Sequence, residues 1–351
     1  MSLTKNLISW YTANKRNLPW RRSKDPFTIW LSEIILQQTR VEQGLKYYHR
    51  FTSEFRNVNA LANASEEKIL RMWQGLGYYS RARNLHATAN QIVKDYHSSF
   101  PGTFKELLKL KGVGDYTAAA IASIAFDQAV PAVDGNVKRV ISRLFDIREN
   151  TGNSTTYNKI KAICATLMQE ENPGSFNQAI MEFGALHCKP KNPDCINCPL
   201  NSYCMAYSEG MVNELPVKYK TQKKKNRYFN YLIIENKSST KPYFYIRQRK
   251  KNDIWHMLFE FPMIEDNKLL NTTETLKNLE TLFPAQSKIH LRFSPAYKHL
   301  LSHQNIFAQF IRIKYSKEPK NIPPSWIKIP REKIDDYAIP RLIEQYLHKE
   351  N

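Results

Sequence analysis

Long apolar runs are missing from this chain: its apolar stretches are short and interrupted, which excludes a transmembrane span. The opening MSLTKNLISWYTANKR has no apolar segment of signal-peptide length. A soluble, cytoplasmic protein with no membrane partner is therefore expected. Acidic residues are few, 32 against 52 Lys and Arg, leaving a net charge of +20. A surface with that excess attracts phosphates and predicts a polyanionic partner, without saying which polyanion. Cysteine is scarce too, at five in 351 residues, and four of the five fall within residues 188–204. An odd count crowded into one segment argues against a secreted disulfide scaffold and for metal binding in a reducing compartment. What is present excludes a mostly disordered chain, since 42% of residues are hydrophobic and 12% aromatic. The length suits about two domains.

Up to residue 215 no period-two alternation of any length occurs, and the stretches 27–38, 66–73, 83–96 and 116–126 have helical length and pattern. Breaks marked by Gly or Pro separate them, as in GLGYYS, FPGT and KGVGD. Residues 1–215 are read as an all-α domain. The run KYKTQKKKNR, with six basic residues and no acid, falls within an expected linker at 216–227 that either is simply solvated or tracks a phosphate backbone. Beyond it, 228–235, 243–249, 288–293 and 306–315 are β-branched and aromatic, whereas 269–283 and 337–348 look helical. Residues 228–351 are therefore expected to form a second, α+β domain. Both parts carry a positive excess and can face one polyanion; no internal repeat is found.

Cys188, Cys195, Cys198 and Cys204 form C-x6-C-x2-C-x5-C. Four thiolates this close suit tetrahedral zinc or an iron–sulfur cluster, and residue type alone does not choose between them. Cys164, in the apolar KAICATLM, reads as an inert core residue. Glu33 stands among large apolar neighbours in IWLSEIIL. It is either on a solvated stripe or desolvated, with its pKa raised into the range of a general acid. Asp134 follows VPAV and precedes Gly135 and Asn136, which suits a helix N-cap. It equally suits a carboxylate held ionised by the helix terminus to face a developing cation. Gly112 and Gly114 in LKGVGDYTAAA free the backbone of a tight turn before a helix, with Asp115 as N-cap. Such a turn is an ordinary helical hairpin or a backbone site for one phosphate.

The cysteine spacing, the hairpin with the following VPAVDGN, and the strings PWR (19–21), WLSEIILQQT (30–39) and GLGYY (75–79) together resemble the endonuclease III, or helix-hairpin-helix, superfamily of DNA glycosylases. Within it they resemble most closely the adenine DNA glycosylases of the MutY family, over residues 15–205. Lys111 stands where many relatives have Pro. The resemblance implies one structural [4Fe–4S] cluster on Cys188, Cys195, Cys198 and Cys204, and a backbone grip on DNA by Gly112 and Gly114. It implies that Glu33 protonates the leaving adenine and handles the attacking water. Asp134 would stabilise the sugar cation covalently, with Asn136 orienting the site. Tyr116 replaces the lysine of bifunctional relatives; a phenol forms no Schiff base, so a monofunctional hydrolase is implied.

An enzyme acting on a paired base must extrude it and brace the gap. By the resemblance, Gln38, Leu76 and Tyr78 insert around the orphan base, Thr39 contacts it, and Arg21, Leu36 and Gln178 line the adenine pocket. In the second domain LFEFP (258–262) resembles part of a Nudix-like domain, and 269–283 carries no acidic Nudix box. Ser302 and His303, after Leu301 where relatives have Phe, would read 8-oxoguanine, or else form a polar turn between strands. The expected substrate is double-stranded DNA with an 8-oxoguanine:adenine or guanine:adenine mispair, bound by a monomer. A bifunctional glycosylase/lyase for oxidised pyrimidines and an iron–sulfur DNA-binding adaptor stand as alternatives.

Overall fold

The structure is a computed structural model that describes residues 2–217, 224–236, 242–250, 253–283 and 287–350. The stretch 218–223 of the expected linker lies outside the described residues. The chain divides into two compact units: Met1–Ala64 with Arg83–Lys220, and Ser65–Ala82 with Thr221–Asn351. By its contacts Ser65–Ala82 groups with the C-terminal unit, and no change of composition marks the segment. The expected linker ends early: strand pairing already starts at Lys225, opposite Gln304. Among the described residues no helix is long and apolar enough to cross a membrane.

In chain order the helices are α1 (Leu3–Asn14), α2 (Pro26–Leu36), α3 (Val41–Glu54), α4 (Val58–Ala62), α5 (Glu66–Trp73), α6 (Ser80–Asp95), α7 (Phe104–Leu107), α8 (Asp115–Phe126), α9 (Gly135–Leu144), α10 (Ser154–Met168), α11 (Pro173–Leu186) and α12 (Met205–Ser208). Side-chain caps start many of them. Asp25 accepts from Phe27 and Thr28 N–H, and Asn172 from Ser175 N–H, each before a proline at the first helical position. Helix α2 buries Phe27, Ile29, Trp30, Leu31, Ile34 and Ile35, nearly all round its axis. It packs on α8, whose Ala118–Ala122 run is fully buried. Small side chains there let the two helices approach, and that approach seats Glu33 against Tyr116. Helix α11 packs on α9, α8 and α1. At Gly184 a Cβ would stand 2.7 Å from Asn136 Cβ, so only glycine lets α11 close on the start of α9.

The second unit holds β1 (Lys225–Asn236), β2 (Tyr243–Gln248), β3 (Phe259–Glu260), β4 (Met263–Asp266), α13 (Thr272–Leu279), β5 (Ile289–Phe293), β6 (Tyr297–Leu300), β7 (Gln304–Tyr315), β8 (Trp326–Pro330) and α14 (Arg341–Glu350). One sheet runs β4-β1-β7-β5, with β6 also on β7; the other is β3-β2-β8. The long pair β1 and β7 is parallel, the rest antiparallel. Strand alternation splits the apolar residues between two faces: Phe229, Tyr231, Ile233 and Phe310 in one cluster, Leu232, Ile234, Ile311 and Ile313 in another. Helix α13 is shorter than the expected 269–283, because Asn271 and Glu274 form a capping box that starts it late. Helix α14 begins after Pro340, and Tyr337 instead closes a 3-10 turn over Arg331–Asp336.

Candidate active site

Five separated segments of the first unit line a cavity of about 710 Å³: Arg16–Arg21, Glu33 through Glu42, Tyr116, Asp134–Asn136, and Met181, Glu182 and Ala185 of α11. Glu33, Tyr116, Asp134 and Asn136 all reach it, as do Arg21, Leu36, Gln38 and Thr39. Glu33 is therefore on no solvated stripe. Burial pushes its carboxyl up to about 7, and the nearby Asp134 charge pushes the same way. The Tyr116 hydroxyl, which donates to Glu33 Oε2 at 2.7 Å, and the Arg21 charge pull against that rise. Tyr116 itself is raised well above an ordinary phenol by burial and by the two carboxylates, so it stays a neutral donor.

Asp134 serves as the N-cap of α9, accepting from Val137 N–H at 2.8 Å, and also takes the Asn136 amide at 2.8 Å. Asn136 Oδ1 accepts in turn from Arg139 at 2.9 Å. Burial is the largest influence on the Asp134 carboxyl and raises it, while the N–H groups of the helix terminus, the Asn136 amide and Arg139 favour its charged form. Two carboxyl groups thus share one enclosed site with unequal support, one donor at Glu33 and several at Asp134. Unequal environments of this kind separate an acid from an ion.

Sequence reasoning missed Glu182. It is 1% exposed and takes bidentate contacts from both Arg16 and Arg21 at 2.6–2.9 Å, which hold it down at about 2 despite its burial. Arg21 also lies 5.6 Å over the Tyr11 ring. The partners sit more than 160 positions apart, so no local pattern announces the cluster. Gln178 is not among the cavity-lining residues, and its Oε1 accepts from the Tyr11 hydroxyl at 2.8 Å.

The hairpin joins α7 to α8. Gly112 has φ +75°, and a Cβ there would stand 2.6 Å from Asn84. Three side chains of α6 brace the turn: Asn84 behind Gly112, Thr88 donating to the Lys111 carbonyl, and Gln91 accepting from Lys111 N–H at 3.0 Å. Gly114, the N-cap of α8, has open space before it. Asp115 is the first helical residue rather than the N-cap, and its carboxylate takes Lys161 and the Tyr157 hydroxyl.

All four clustered cysteines line one pocket beside Arg143. Arg143 Nη1 donates to Cys188 Sγ at 3.3 Å and Leu200 N–H to Cys198 Sγ at 3.4 Å. Soft sulfur donors facing one pocket, with N–H groups aimed at the sulfurs, fit a metal–sulfur group chemically. Among the described residues no group of His, Cys, Asp and Glu is already drawn together around a metal-ion position. Cys164 is buried in the core, as expected.

In the second unit Leu76 is buried and Tyr78 is 47% exposed, on a turn where Gly75, Gly77 and Tyr78 all have positive φ. Ser302 and His303 are exposed in the two-residue turn between β6 and β7, with Ser302 Oγ 3.0 Å from His303 Nδ1. Lys224 Nζ donates to the adjacent Leu301 carbonyl at 2.7 Å.

Residues 31–166 match the HhH-GPD superfamily of base excision DNA repair proteins, and residues 230–349 match the NUDIX domain. The adenine DNA glycosylase of Buchnera aphidicola subsp. Schizaphis graminum is 33% identical over 347 residues, covering 97% of this chain and 96% of that one. The Arabidopsis thaliana adenine DNA glycosylase is 33% identical over 326 residues, covering 83% of this chain and 52% of that protein. Among solved structures, a thermostable thymine-DNA glycosylase superposes with a TM-score of 0.54 at 28% identity, covering 59% of this chain and 95% of that one. Endonuclease III in a non-covalent DNA complex gives 0.52 at 24% identity over 59% and 94%, a likeness of fold. With similarity to the Buchnera enzyme running the length of both chains, this protein belongs to the adenine DNA glycosylase family, enzymes that remove adenine from DNA in base excision repair.

Proposed function

We propose that the protein is a monofunctional adenine DNA glycosylase acting, as a monomer, on adenine paired with 8-oxoguanine or guanine in double-stranded DNA. The observation that carries this reading is the pair Glu33 and Asp134 in one cavity, with Glu33 raised to about 7 and so still substantially protonated near neutrality. An extruded adenine enters that cavity. As the N-glycosidic bond breaks, Glu33 gives its proton to the departing base and Asp134 faces the cationic sugar, forming a covalent adduct with it. Water, giving its proton to Glu33, then attacks the sugar carbon and displaces the Asp134 carboxylate, which leaves an abasic site. Tyr116 keeps Glu33 oriented, and Asn136 does the same for Asp134 through its 2.8 Å hydrogen bond. Tyr116 offers no amine for an imine, so the strand is left intact.

Arg21, Leu36, Gln38 and Thr39 are assigned to the adenine and its surroundings, Gly112 and Gly114 to one DNA phosphate, Leu76 and Tyr78 to the opened helix. Ser302 and His303 are assigned to the opposite base. Gln178 is assigned a supporting part, holding Tyr11 beneath Arg21. Cys188, Cys195, Cys198 and Cys204 would hold a [4Fe–4S] cluster, which when bound ties residues 188–204 into one rigid loop.

A single-turnover assay on duplexes with 8-oxoguanine:A, G:A and T:A tests the reading. Adenine release from the first two, with strand breaks only after alkali, is expected. Breaks without alkali, or equal release from T:A, would overturn it.

A further inference from the structure

Within the second unit, the turn bearing Leu76 and Tyr78 is tied to residues 336–344. Three of its positions have positive φ: Gly75 at 92°, Gly77 at 74° and Tyr78 at 47°. The two glycines adopt such φ values freely, so the strained position is Tyr78, and it persists only where surrounding contacts over-determine it. Some of those contacts are local. The Trp73 indole donates to the Gly77 carbonyl at 3.0 Å, and Arg81 donates to the same oxygen at 3.3 Å. Arg81 also lies 5.2 Å over the Trp73 ring and 5.7 Å over the Tyr78 ring.

Other contacts reach across the unit. Tyr79 is 5% exposed, and its hydroxyl works in both directions. It accepts from Gly75 N–H at 3.4 Å and donates to the Ile339 carbonyl at 3.4 Å. Ile339 is itself fixed, buried in the cluster that contains Leu342 and Ile343. Its neighbour Ala338 accepts from Phe259 N–H at 2.8 Å. Beside this link Gln74 Nε2 donates to Glu344 Oε1 at 3.4 Å, and Arg71 faces Asp336 at 3.8 Å.

We infer that residues 336–344 form a ledge that sets the shape of the 75–79 turn, with the Tyr79 hydroxyl and the Gln74–Glu344 pair as positioning groups for Leu76 and Tyr78. The inference rests on the proposed role of Leu76 and Tyr78 in bracing the opened helix. It adds that the unit inspecting the opposite base also holds the wedge in shape, so the two operations are mechanically joined.

The test uses full-length protein and a G:A duplex with 2-aminopurine next to the mispair, whose emission rises when its neighbour is unstacked. Tyr79→Phe keeps the ring and removes only the hydroxyl. It removes both hydrogen bonds of that hydroxyl and is expected to weaken mispair binding about fivefold or more, the effect of one to two lost hydrogen bonds, and to lower the emission rise. Gln74→Glu, which sets two carboxylates against each other, is expected to do the same. Gln74→Glu with Glu344→Gln restores a donor–acceptor pair and is expected to recover binding, a rescue that general destabilisation would not give. Thermal melting checks that each variant is folded. Tyr78→Ala is the control. If it weakens binding while the Tyr79 and Gln74 variants behave like the parent, or if the exchanged pair gives no rescue, the ledge is overturned and the role of Tyr78 stands. If Tyr78→Ala is silent, the assigned role of Tyr78 fails and the inference falls with it.

Discussion

The Tyr116 hydroxyl donates to Glu33 Oε2 at 2.7 Å, from a phenol that burial and two carboxylates keep neutral. This bond favours the charged form of Glu33 and restrains a pKa that burial lifts to about 7. The active acid is the protonated form and Asp134 must be ionised, so adenine release should fall about tenfold per unit above about pH 7 and fall again at acidic pH as Asp134 takes up a proton. Tyr116→Phe removes the restraint. Its alkaline limb should move to higher pH, even if the maximal rate drops, and a pH–rate profile under single turnover reads the shift. A limb that stays in place would deny that the hydrogen bond tunes the acid.

Glu33→Gln separates chemistry from stability. Loss of a general acid should reduce release by about 10²–10⁴-fold while leaving duplex binding intact. Because the folded state holds the Glu33 proton up to about 7 and the unfolded chain only to about 4.5, Glu33 costs stability as pH rises through that window. A neutral amide does not ionise. Glu33→Gln should therefore melt no lower than the parent at pH 8, and a lower melting temperature there would contradict the assigned burial.

How far the sequence alone reached differs between elements and site. Helix α5 matches the periodicity of 66–73 residue for residue, and β7 extends the expected 306–315 by only two positions. Those signals are local, set by the side chains of one segment. The state of Glu33 was not legible in that way, since the same string fits a solvated stripe until α8 brings Tyr116 against α2. Glu182 escaped notice for a stronger reason: what makes it important is two arginines from the far end of the chain. Asp115 looked like a cap because its partners Tyr157 and Lys161 are over forty positions away. The grouping of Ser65–Ala82 with the second unit is likewise a tertiary fact.

Asp134 carries two roles that one substitution can divide. Its side chain caps α9 at Val137 N–H, and asparagine caps helices about as well as aspartate. Asp134→Asn should thus lose about 1 kcal/mol or less of stability, measured by denaturant unfolding. Adenine release should fall about 100-fold or more, because the negative charge facing the sugar is gone. A large stability loss with activity in proportion would reduce Asp134 to a cap.

The hairpin gives a prediction about grip rather than chemistry. Gly112→Ala places a Cβ 2.6 Å from Asn84 in a φ of +75°, so strain and a clash act together. A cost of about 1–3 kcal/mol in stability is expected. Duplex affinity should weaken for matched and mispaired DNA alike, because a backbone–phosphate contact carries no sequence information. Titrations of both duplexes test this, and a loss confined to the mispair would place Gly112 elsewhere in recognition.

Ser302 and His303 are exposed in the turn between β6 and β7, and under the proposed function that polar turn reads the opposite base. 8-Oxoguanine differs from guanine by an added carbonyl oxygen and an N–H at the ring edge, features that a hydroxyl and an imidazole can pair with. Ser302→Ala with His303→Ala should lower the preference for 8-oxoguanine:A over G:A by about tenfold, two modest hydrogen bonds' worth, while the rate on G:A changes little. Neighbouring Lys224 supplies charge and not shape, so Lys224→Gln should weaken both substrates equally and flatten the salt dependence of binding. Single-turnover rates and affinities on the two duplexes, measured at two salt concentrations, distinguish the contributions; an unchanged preference in the double variant would leave the turn with a purely structural part.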